Sequence, residues 1–154
     1  MKNQHSNSRP NAGRSSNREH QRQKDQAKNP AGKKLPSDYV DQAEERMREL
    51  SGSCPQLTTS KLRNILSRIS SIYNKEVKRT EETLAPENQA ELQMVRVRIA
   101  YECGREEAVR QFVEKSELLN YIKGVGNSRV EFICFARYME ALVAYHRFFG
   151  GKDS

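Results

Sequence analysis

Apolar residues are almost absent from the first 34 positions of the chain, so any hydrophobic core must form within residues 35–154. The segment 1–34 is instead rich in Asn, Gln, Ser, Arg and Lys. A segment of this composition buries too little apolar surface to offset the entropy that it loses on ordering. We therefore predict a disordered basic tail over residues 1–34 and a single folded domain over residues 35–154, whose length suits one core.

The net charge of the chain also lies in the tail. Residues 1–34 carry nine Lys or Arg and two acidic residues, which accounts for the formal net charge of +7 of the whole chain. Residues 35–154 carry 18 basic and 18 acidic residues. A basic tail is typical either of a loose electrostatic arm for an anionic polymer or of a solubilising extension, and both interpretations stay open.

Membrane and secreted proteins are disfavoured by the distribution of apolar residues and cysteines. The longest apolar runs, such as 141–145, have five residues, whereas a membrane-spanning helix needs about 20. The N-terminus lacks the apolar region of a secretory signal. Cys54, Cys103 and Cys134 are odd in number and widely spaced, which fits reduced thiols better than a disulfide framework. We expect a cytoplasmic protein without a membrane partner.

Hydrophobic periodicity predicts an all-α fold, a compact bundle of about five to six helices. The predicted helices cover approximately residues 38–50, 59–83, 86–104, 106–119 and 128–149. Ser37 and Thr58 or Thr59 are the expected N-caps of the first two helices, and Ser128 with Glu131 forms a capping box at the last. The last helix is apolar on nearly every side, so we expect it at the centre of the bundle.

The third predicted helix has an ambiguous pattern. Val95 and Val97 alternate with Arg96 and Arg98 as in a strand, whereas positions 90, 94, 97 and 101 and positions 92, 95, 99 and 103 form two apolar stripes of a helix. Pro86 at the start favours the helix. Two apolar stripes imply packing on two sides.

A row of basic residues borders the apolar face of the second predicted helix. Lys61, Arg68 and Lys75 follow one another at about 10.5 Å, and Arg79 extends the row. Packing of their aliphatic stems beside the core would hold them in place. Such a row can follow a phosphate backbone, but a charge stripe beside a core is usually a solvated edge, which Glu76 and Glu82 could partly neutralise.

The chain lacks the side-chain patterns of an enzyme. His5 and His20 lie in the tail, and His146 stands alone in the last helix, where we expect a surface or core-edge histidine. A zinc site from Cys103, Cys134 and His146 lacks paired-ligand spacing, so we expect inert thiols instead. We predict a protein that is not an enzyme and that has neither a metal nor another cofactor.

Nucleic-acid recognition by a known groove-reading motif is also disfavoured. The sequence shows no zinc-finger spacing, no convincing helix-turn-helix and no aromatic platform of the kind that stacks bases. If RNA or DNA binds, we expect contacts to its backbone.

Three stretches of the sequence, in order, resemble one protein family. They are 57–64 (LTTSKLRN), 101–106 (YECGRE) and 137–153, which contains RYMEALVAY and FFGGKD. Over about residues 39–153 the chain resembles the small helical subunit of type III-A CRISPR effector complexes, the Csm group. The resemblance implies a compact all-helical, non-catalytic, RNA-binding protein of the prokaryotic cytoplasm that takes part in antiviral defence.

The resemblance also implies partners. Copies of the subunit would stack head to tail as an inner filament beside a filament of RNA-backbone subunits, and they would contact the large polymerase-like subunit. They would line the channel where guide RNA pairs with target RNA, through backbone contacts that do not depend on sequence. Target cleavage would belong to the backbone subunit.

The candidate RNA-binding residues come from the matching stretches, from the basic row and from the start of the last helix. They are Lys61, Arg63, Arg68, Lys75, Arg105, Arg129 and Arg137. Structural alternatives exist for three of them. Arg105 can cap the end of the third helix, Arg137 can pair with Glu140, and Arg129 can pair with Glu131. The alternative function is a helical protein–protein adaptor without nucleic-acid contact.

Overall fold

A computed structural model of the chain describes residues 32–154, which contain six helices and no strand. The helices are α1 (Tyr39–Leu50), α2 (Thr59–Glu76), α3 (Pro86–Arg105), α4 (Glu107–Ser116), α5 (Leu118–Val125) and α6 (Arg129–Phe148). The predicted all-α class is confirmed. Residues 1–31 of the predicted tail lie outside the described residues. None of the six helices combines the length and the apolar character that spanning a bilayer requires.

Helix α6 lies at the centre of the bundle, where it packs against α1, α2 and α5. Its fully buried side chains are Phe132, Phe135, Tyr138, Met139 and Leu142. Burying one large apolar side chain contributes about 1.5–3 kcal/mol. The two ends of the helix differ from the middle, because Val130 is 62% exposed and Phe148 is 74% exposed. The expectation of a helix buried on nearly every side therefore holds only for its central turns.

Helix α2 ends at Glu76, about two turns earlier than the sequence predicts. The Glu76 carboxylate is fully buried and accepts hydrogen bonds from the backbone N–H of Ala85 (2.9 Å), from Asn88 Nδ2 (2.6 Å) and from Arg79 (2.8 Å). Residues 77–85 turn around this carboxylate and cannot continue the helix. Burial works against ionisation of Glu76, but the hydrogen bonds from Asn88, Ala85 and Arg79 outweigh it, so its pKa lies below the ordinary value.

The loop after α2 also pairs with the segment that precedes α6. The backbone N–H of Leu84 donates to the Asn127 carbonyl at 2.9 Å, and that of Arg129 donates to the Glu82 carbonyl at 2.9 Å. These two bonds join the end of α2 to the start of the central helix.

The structure confirms the predicted N-cap residue at two of the three helices for which the sequence predicts one. The Thr58 side chain accepts from the backbone of α2, and the Ser128 side chain accepts from the backbone of α6. At α1 the predicted cap Ser37 is wrong, because the helix begins one residue later and its N-cap position is Asp38, whose side chain makes no capping bond.

The fourth predicted helix, 106–119, ends early at Ser116, and α5 follows over Leu118–Val125, most of which the sequence did not predict as helix. Glu117 adopts a left-handed conformation with φ of 54°, which costs a non-glycine residue about 1–2 kcal/mol. The Ser116 carbonyl accepts from the Tyr138 hydroxyl and from Arg46, both at 2.8 Å. The Glu117 carboxylate accepts from Arg46 (2.9 Å) and Lys33 (2.6 Å). These tertiary bonds hold the break in place, and burial raises the pKa of Tyr138 to about 12.

The ambiguous third segment is a helix over its whole length. One apolar stripe is buried through Leu92, Val95 and Ile99. The other stripe leaves its large side chains exposed, namely Met94 (59%), Val97 (58%) and Tyr101 (58%). The expected second packing side is therefore open to solvent within residues 32–154.

Replacing Glu76 by Gln should lower the free energy of unfolding at neutral pH by about 1–3 kcal/mol, because buried donors lose their charged acceptor. The folded pKa of Glu76 lies below its ordinary value of 4.5. The stabilisation is therefore fully present above that pH and is lost as the pH falls through the folded pKa. Urea unfolding followed by circular dichroism at about pH 7 and about pH 3 should show a difference between wild type and variant that shrinks in acid.

Glu82→Gln is the matched control, because it makes the same chemical change on an exposed side chain of the same loop. It should leave the unfolding free energy within about 0.5 kcal/mol of wild type. Equal effects of the two variants at both pH values would contradict the assignment of Glu76.

Candidate nucleic-acid interface

An open groove with a volume of about 420 Å³ lies between α2 and α3. Buried apolar side chains line it at Ile65, Val95, Ile99 and Val109. Its ionisable lining residues are Lys61 and Arg68 of α2, Arg98, Glu102 and Arg105 of α3, and Glu106 at the end of α3. Four cations and two carboxylates give the groove an excess of two positive charges.

Helical spacing places these charges along the groove. Lys61 and Arg68 are seven residues apart on α2, so they lie on the same flank about two turns from each other. Arg98, Glu102 and Arg105 follow the same spacing on α3. The neutral charge sum of the domain therefore hides a local basic surface.

Two carboxylates hold three of the four groove cations. The pairs are Lys61 with Glu106 (2.5 Å), Arg98 with Glu102 (3.2 Å) and Arg105 with Glu102 (3.8 Å). Arg68 has no carboxylate within 4 Å among residues 32–154. All the paired side chains reach solvent, and an exposed ion pair stabilises a protein by only about 0–1 kcal/mol. A stronger anion can therefore displace these carboxylates at small cost.

The groove brings together three of the predicted site residues, Lys61, Arg68 and Arg105. Arg63 is exposed on α2 but points about 140° around the helix from Arg68, so it faces away from the groove. Lys75 is exposed two turns beyond Arg68 and continues the row past the end of the groove.

The Arg129 side chain makes contacts within the fold and is not displayed at the surface. Its Nε donates to the Glu76 carbonyl at 2.7 Å and a terminal nitrogen donates to the Val77 carbonyl at 3.4 Å. Only 14% of its side chain is exposed. Arg129 thus satisfies carbonyl groups at the end of α2, which a helix leaves without internal partners. The alternative of a pair with Glu131 is wrong, since Arg129 pairs with Glu76 instead.

Arg137 lies on the opposite flank of α2 from the groove. The alternative pair with Glu140 is wrong, because no carboxylate of residues 32–154 lies within 4 Å of Arg137. Its guanidinium lies beside Tyr73, about 140° around α2 from Arg68, and beside Tyr39. Hydrogen bonding with the Tyr73 hydroxyl raises the pKa of Arg137.

Arg105 does not cap the end of α3, as its structural alternative proposed. It pairs with Glu102, while Arg110 donates to the Cys103 carbonyl at 3.3 Å. Arg98 is the groove residue that sequence reasoning missed. The sequence indicates Arg98 through the spacing of Arg98, Glu102 and Arg105, which places all three on one side of a helix. The alternation of valine and arginine, typical of a strand, obscured this spacing.

His146 occupies a core-edge position. Its ring nitrogens lie 3.2 Å from the Thr59 hydroxyl and 3.2 Å from the Leu57 carbonyl, and burial lowers its pKa. The backbone N–H of Thr59 donates to the Lys152 carbonyl at 2.8 Å, so the C-terminal segment satisfies a free donor at the start of α2. These contacts give the histidine and the C-terminal segment a structural role.

The cysteines form no metal site in the part of the chain that the structure describes. No group of three or more His, Cys, Asp or Glu side chains there is arranged to hold a metal ion. Cys54 is buried, and Cys103 and Cys134 are partly buried. Burial raises the pKa of the Cys103 thiol, which makes it less reactive.

The fold and the groove define a small all-helical domain that displays a fixed set of cations between two helices. The family described as Csm2 Type III-A matches residues 33–152 of the chain. The chain belongs to this family, the small subunit of type III-A CRISPR complexes.

Three relatives bear the name CRISPR system Cms protein Csm2. The protein of Mycobacterium tuberculosis is 38% identical over 120 residues, covering 77% of this chain and 97% of that protein. The protein of Streptococcus thermophilus is 39% identical over 118 residues, covering 75% and 93%. The protein of Enterococcus italicus is 42% identical over 99 residues, covering 63% and 71%.

Truncating Arg129 should destabilise the fold, because the partly buried Glu76 carbonyl and the Val77 carbonyl lose their donor and the buried Glu76 carboxylate loses a nearby positive charge. We expect Arg129→Ala to lower the free energy of unfolding by about 1–3 kcal/mol. Lys75→Ala removes the same charge from an exposed position and should change stability by less than about 0.5 kcal/mol. Thermal and urea unfolding measure both variants, and equal stability of the two would show that Arg129 is not a structural residue.

Proposed function

We propose that the chain is a non-catalytic RNA-binding small subunit of a type III-A CRISPR interference complex that acts in antiviral defence. Its copies stack head to tail as an inner filament in the cytoplasm of a prokaryote. They hold guide RNA and target RNA by sequence-independent backbone contacts, next to the RNA-backbone subunit and the large polymerase-like subunit. Family membership supports the place in the complex, and the groove supports the RNA contact.

The observation that carries the RNA contact is the convergence of four cations on one groove. Lys61 and Arg68 line one wall, and Arg98 and Arg105 line the other. Cations at fixed spacing on two helices match a chain of phosphates, and phosphate contacts supply most of the affinity that does not depend on sequence. Among the four cations that line the groove, Arg68 is the one that has no carboxylate partner within residues 32–154 before RNA binds.

The ion pairs of the groove favour reversible binding. Lys61, Arg98 and Arg105 are held in place by Glu102 and Glu106 before RNA arrives, so they lose less freedom on binding than unpaired side chains. When an RNA phosphate binds one of these cations, it takes the place of the carboxylate of Glu102 or Glu106. The contact should therefore be weak in one subunit and become strong only when many subunits bind the same RNA.

The head-to-tail filament is supported by the two exposed ends of α6. Val130 and Phe148 are large, exposed and apolar, and they are 18 residues apart, which is about 27 Å along the helix. A head-to-tail contact joins two different surfaces of neighbouring copies. Apolar side chains at opposite ends of the central helix suit such a contact.

A helical protein–protein adaptor without RNA contact is the second candidate. The exposed stripe of Met94, Val97 and Tyr101 on α3 favours it, since exposed apolar surfaces often mark protein contacts. The salt dependence of RNA binding separates the two candidates.

Removing two groove cations should reduce the salt dependence of RNA binding. Each phosphate contact on a single strand adds about 0.7 to the slope of log affinity against log salt. The double variant Lys61→Ala, Arg68→Ala of the full-length chain should therefore show a slope that is shallower by about 1.4. Fluorescence anisotropy of a labelled single-stranded RNA over a series of salt concentrations measures the slope.

The control is the double variant Arg63→Ala, Lys78→Ala, which removes the same charge from exposed positions that do not line the groove. Its slope should match that of the wild type. If both double variants reduce the slope equally, the groove is not the RNA-binding surface.

Replacing Phe148 by Ser should weaken self-association, because the head-to-tail contact would lose an apolar side chain. We expect a dissociation constant that is higher by about tenfold, the loss of roughly 1.4 kcal/mol. Sedimentation equilibrium of the full-length chain measures it. Val40→Ser is the control, because it changes an exposed apolar residue away from both ends of α6. Val40 is 45% exposed, and its neighbour Tyr39 packs on Tyr138 in the middle of that helix. Unchanged association of the Phe148 variant would exclude this end of α6 from the filament contact.

A further inference from the structure

Tyr101 does not line the basic groove itself, but it contacts Arg98, which does. The Arg98 guanidinium lies 5.3 Å from the centre of the Tyr101 ring, and Arg98 also lines the groove. Arg105 follows Tyr101 by four residues, so it lies on the same side of α3 about 6 Å further along the helix. An aromatic ring is thus placed beside two of the four groove cations.

Apart from its contact with Arg98, the Tyr101 ring has no packing role in the core of residues 32–154. The ring is 58% exposed, and its hydroxyl makes no hydrogen bond within these residues. The buried side of α3 is formed by Leu92, Val95 and Ile99, on the far side of the helix. Such exposure of a large aromatic side chain next to a charged groove suggests a contact with a ligand.

We propose that the groove binds single-stranded RNA with one unpaired base stacked on Tyr101 and the adjacent phosphate held by Arg98 and Arg105. This inference rests on the proposed function and adds one contact to the backbone contacts, at a nucleotide of the bound RNA whose base is not paired. Stacking on an aromatic side chain is worth about 1–3 kcal/mol per base and tolerates any base, since every base has a π-face. It therefore agrees with recognition that does not depend on sequence.

The Arg98 guanidinium assists the stacking. A cation over a ring is attracted by the electrons of the ring face. Arg98 can therefore hold the Tyr101 ring from one side while the base covers exposed ring surface. Because Arg98 is also a groove cation, it joins the base contact to the phosphate contact. A continuous duplex keeps its bases inside the stack, so it offers no free base to this ring.

Tyr101→Leu tests the proposal in the full-length chain. Leucine is a large apolar residue that forms helices well, so the helix is retained while the aromatic π-face is lost. We expect the affinity for a single-stranded oligouridine to fall by about 5- to 150-fold, the equivalent of one stacked base. The slope of log affinity against log salt should not change, because stacking releases no counterions.

An abasic oligonucleotide with the same phosphate backbone isolates the base contact. Wild type and Tyr101→Leu should bind it equally, while Tyr101→Phe, which keeps the ring, should bind oligouridine like wild type. Val97→Ala is the matched control, since it truncates an equally exposed residue of the same stripe and should leave binding of both oligonucleotides unchanged.

Three results would overturn the proposal. Unchanged binding of oligouridine by Tyr101→Leu would show that no base stacks on the ring. Equal losses on the base-containing and abasic oligonucleotides would show that Tyr101 acts on the phosphates or on the fold. Equal losses in Tyr101→Leu and Val97→Ala would assign the stripe to a protein contact that RNA binding depends on.

Failure of this inference is distinguishable from failure of the proposed function. If Tyr101 has no effect while Lys61→Ala, Arg68→Ala still reduces the salt slope, the groove binds the backbone alone. If wild type binds neither oligonucleotide, both the inference and the proposed RNA contact are wrong.

Discussion

The buried carboxylate of Glu76 joins the end of α2 to the starts of α3 and α6. It stops α2, accepts from the first residues of the α3 region through Ala85 and Asn88, and faces Arg129 at the start of α6. Removing the Glu76 charge would leave these donors without their charged acceptor, at a cost of about 1–3 kcal/mol. One side chain thus sets where α2 ends relative to the two helices that pack against it. This connection joins α2 to α3, the two helices whose facing sides form the groove that carries Lys61 and Arg68.

The three stretches that resemble the family meet at two junctions of the fold. Lys61 of the first stretch pairs with Glu106 of the second across the groove, and Thr59 of the first bonds to His146 and Lys152 of the third. The motifs therefore record structural contacts as well as candidate ligand contacts. The groove itself combines cations from two helices whose overall charge is balanced, and its weak ion pairs hold the cations ready for a stronger anion. Local arrangement, and not net charge, makes this surface basic.

Much of the fold could be predicted because the apolar periodicity of most helices reflects packing on a single core. The end of α2 could not be predicted from the sequence. A glutamate within a helical pattern is expected at the surface, and only the structure shows the donors that allow Glu76 to be buried. The break at Glu117 likewise depends on the Tyr138 hydroxyl, which donates to the Ser116 carbonyl 22 residues away. At the candidate site, the spacing on α2 predicted Lys61 and Arg68. It could not predict Arg98 or the structural role of Arg129, because both depend on which helices become neighbours.

Nuclear magnetic resonance of the arginine side chains can show directly whether cations fixed on two helices hold an RNA backbone. The full-length ¹⁵N-labelled chain would be titrated with single-stranded RNA while the Nε–H signals of its arginines are followed. Binding in the groove requires that the signals of Arg68, Arg98 and Arg105 shift together and saturate at one RNA concentration, whereas those of Arg63 and Arg137 stay unchanged. Saturable binding that leaves the three groove arginines unchanged would contradict binding in the groove.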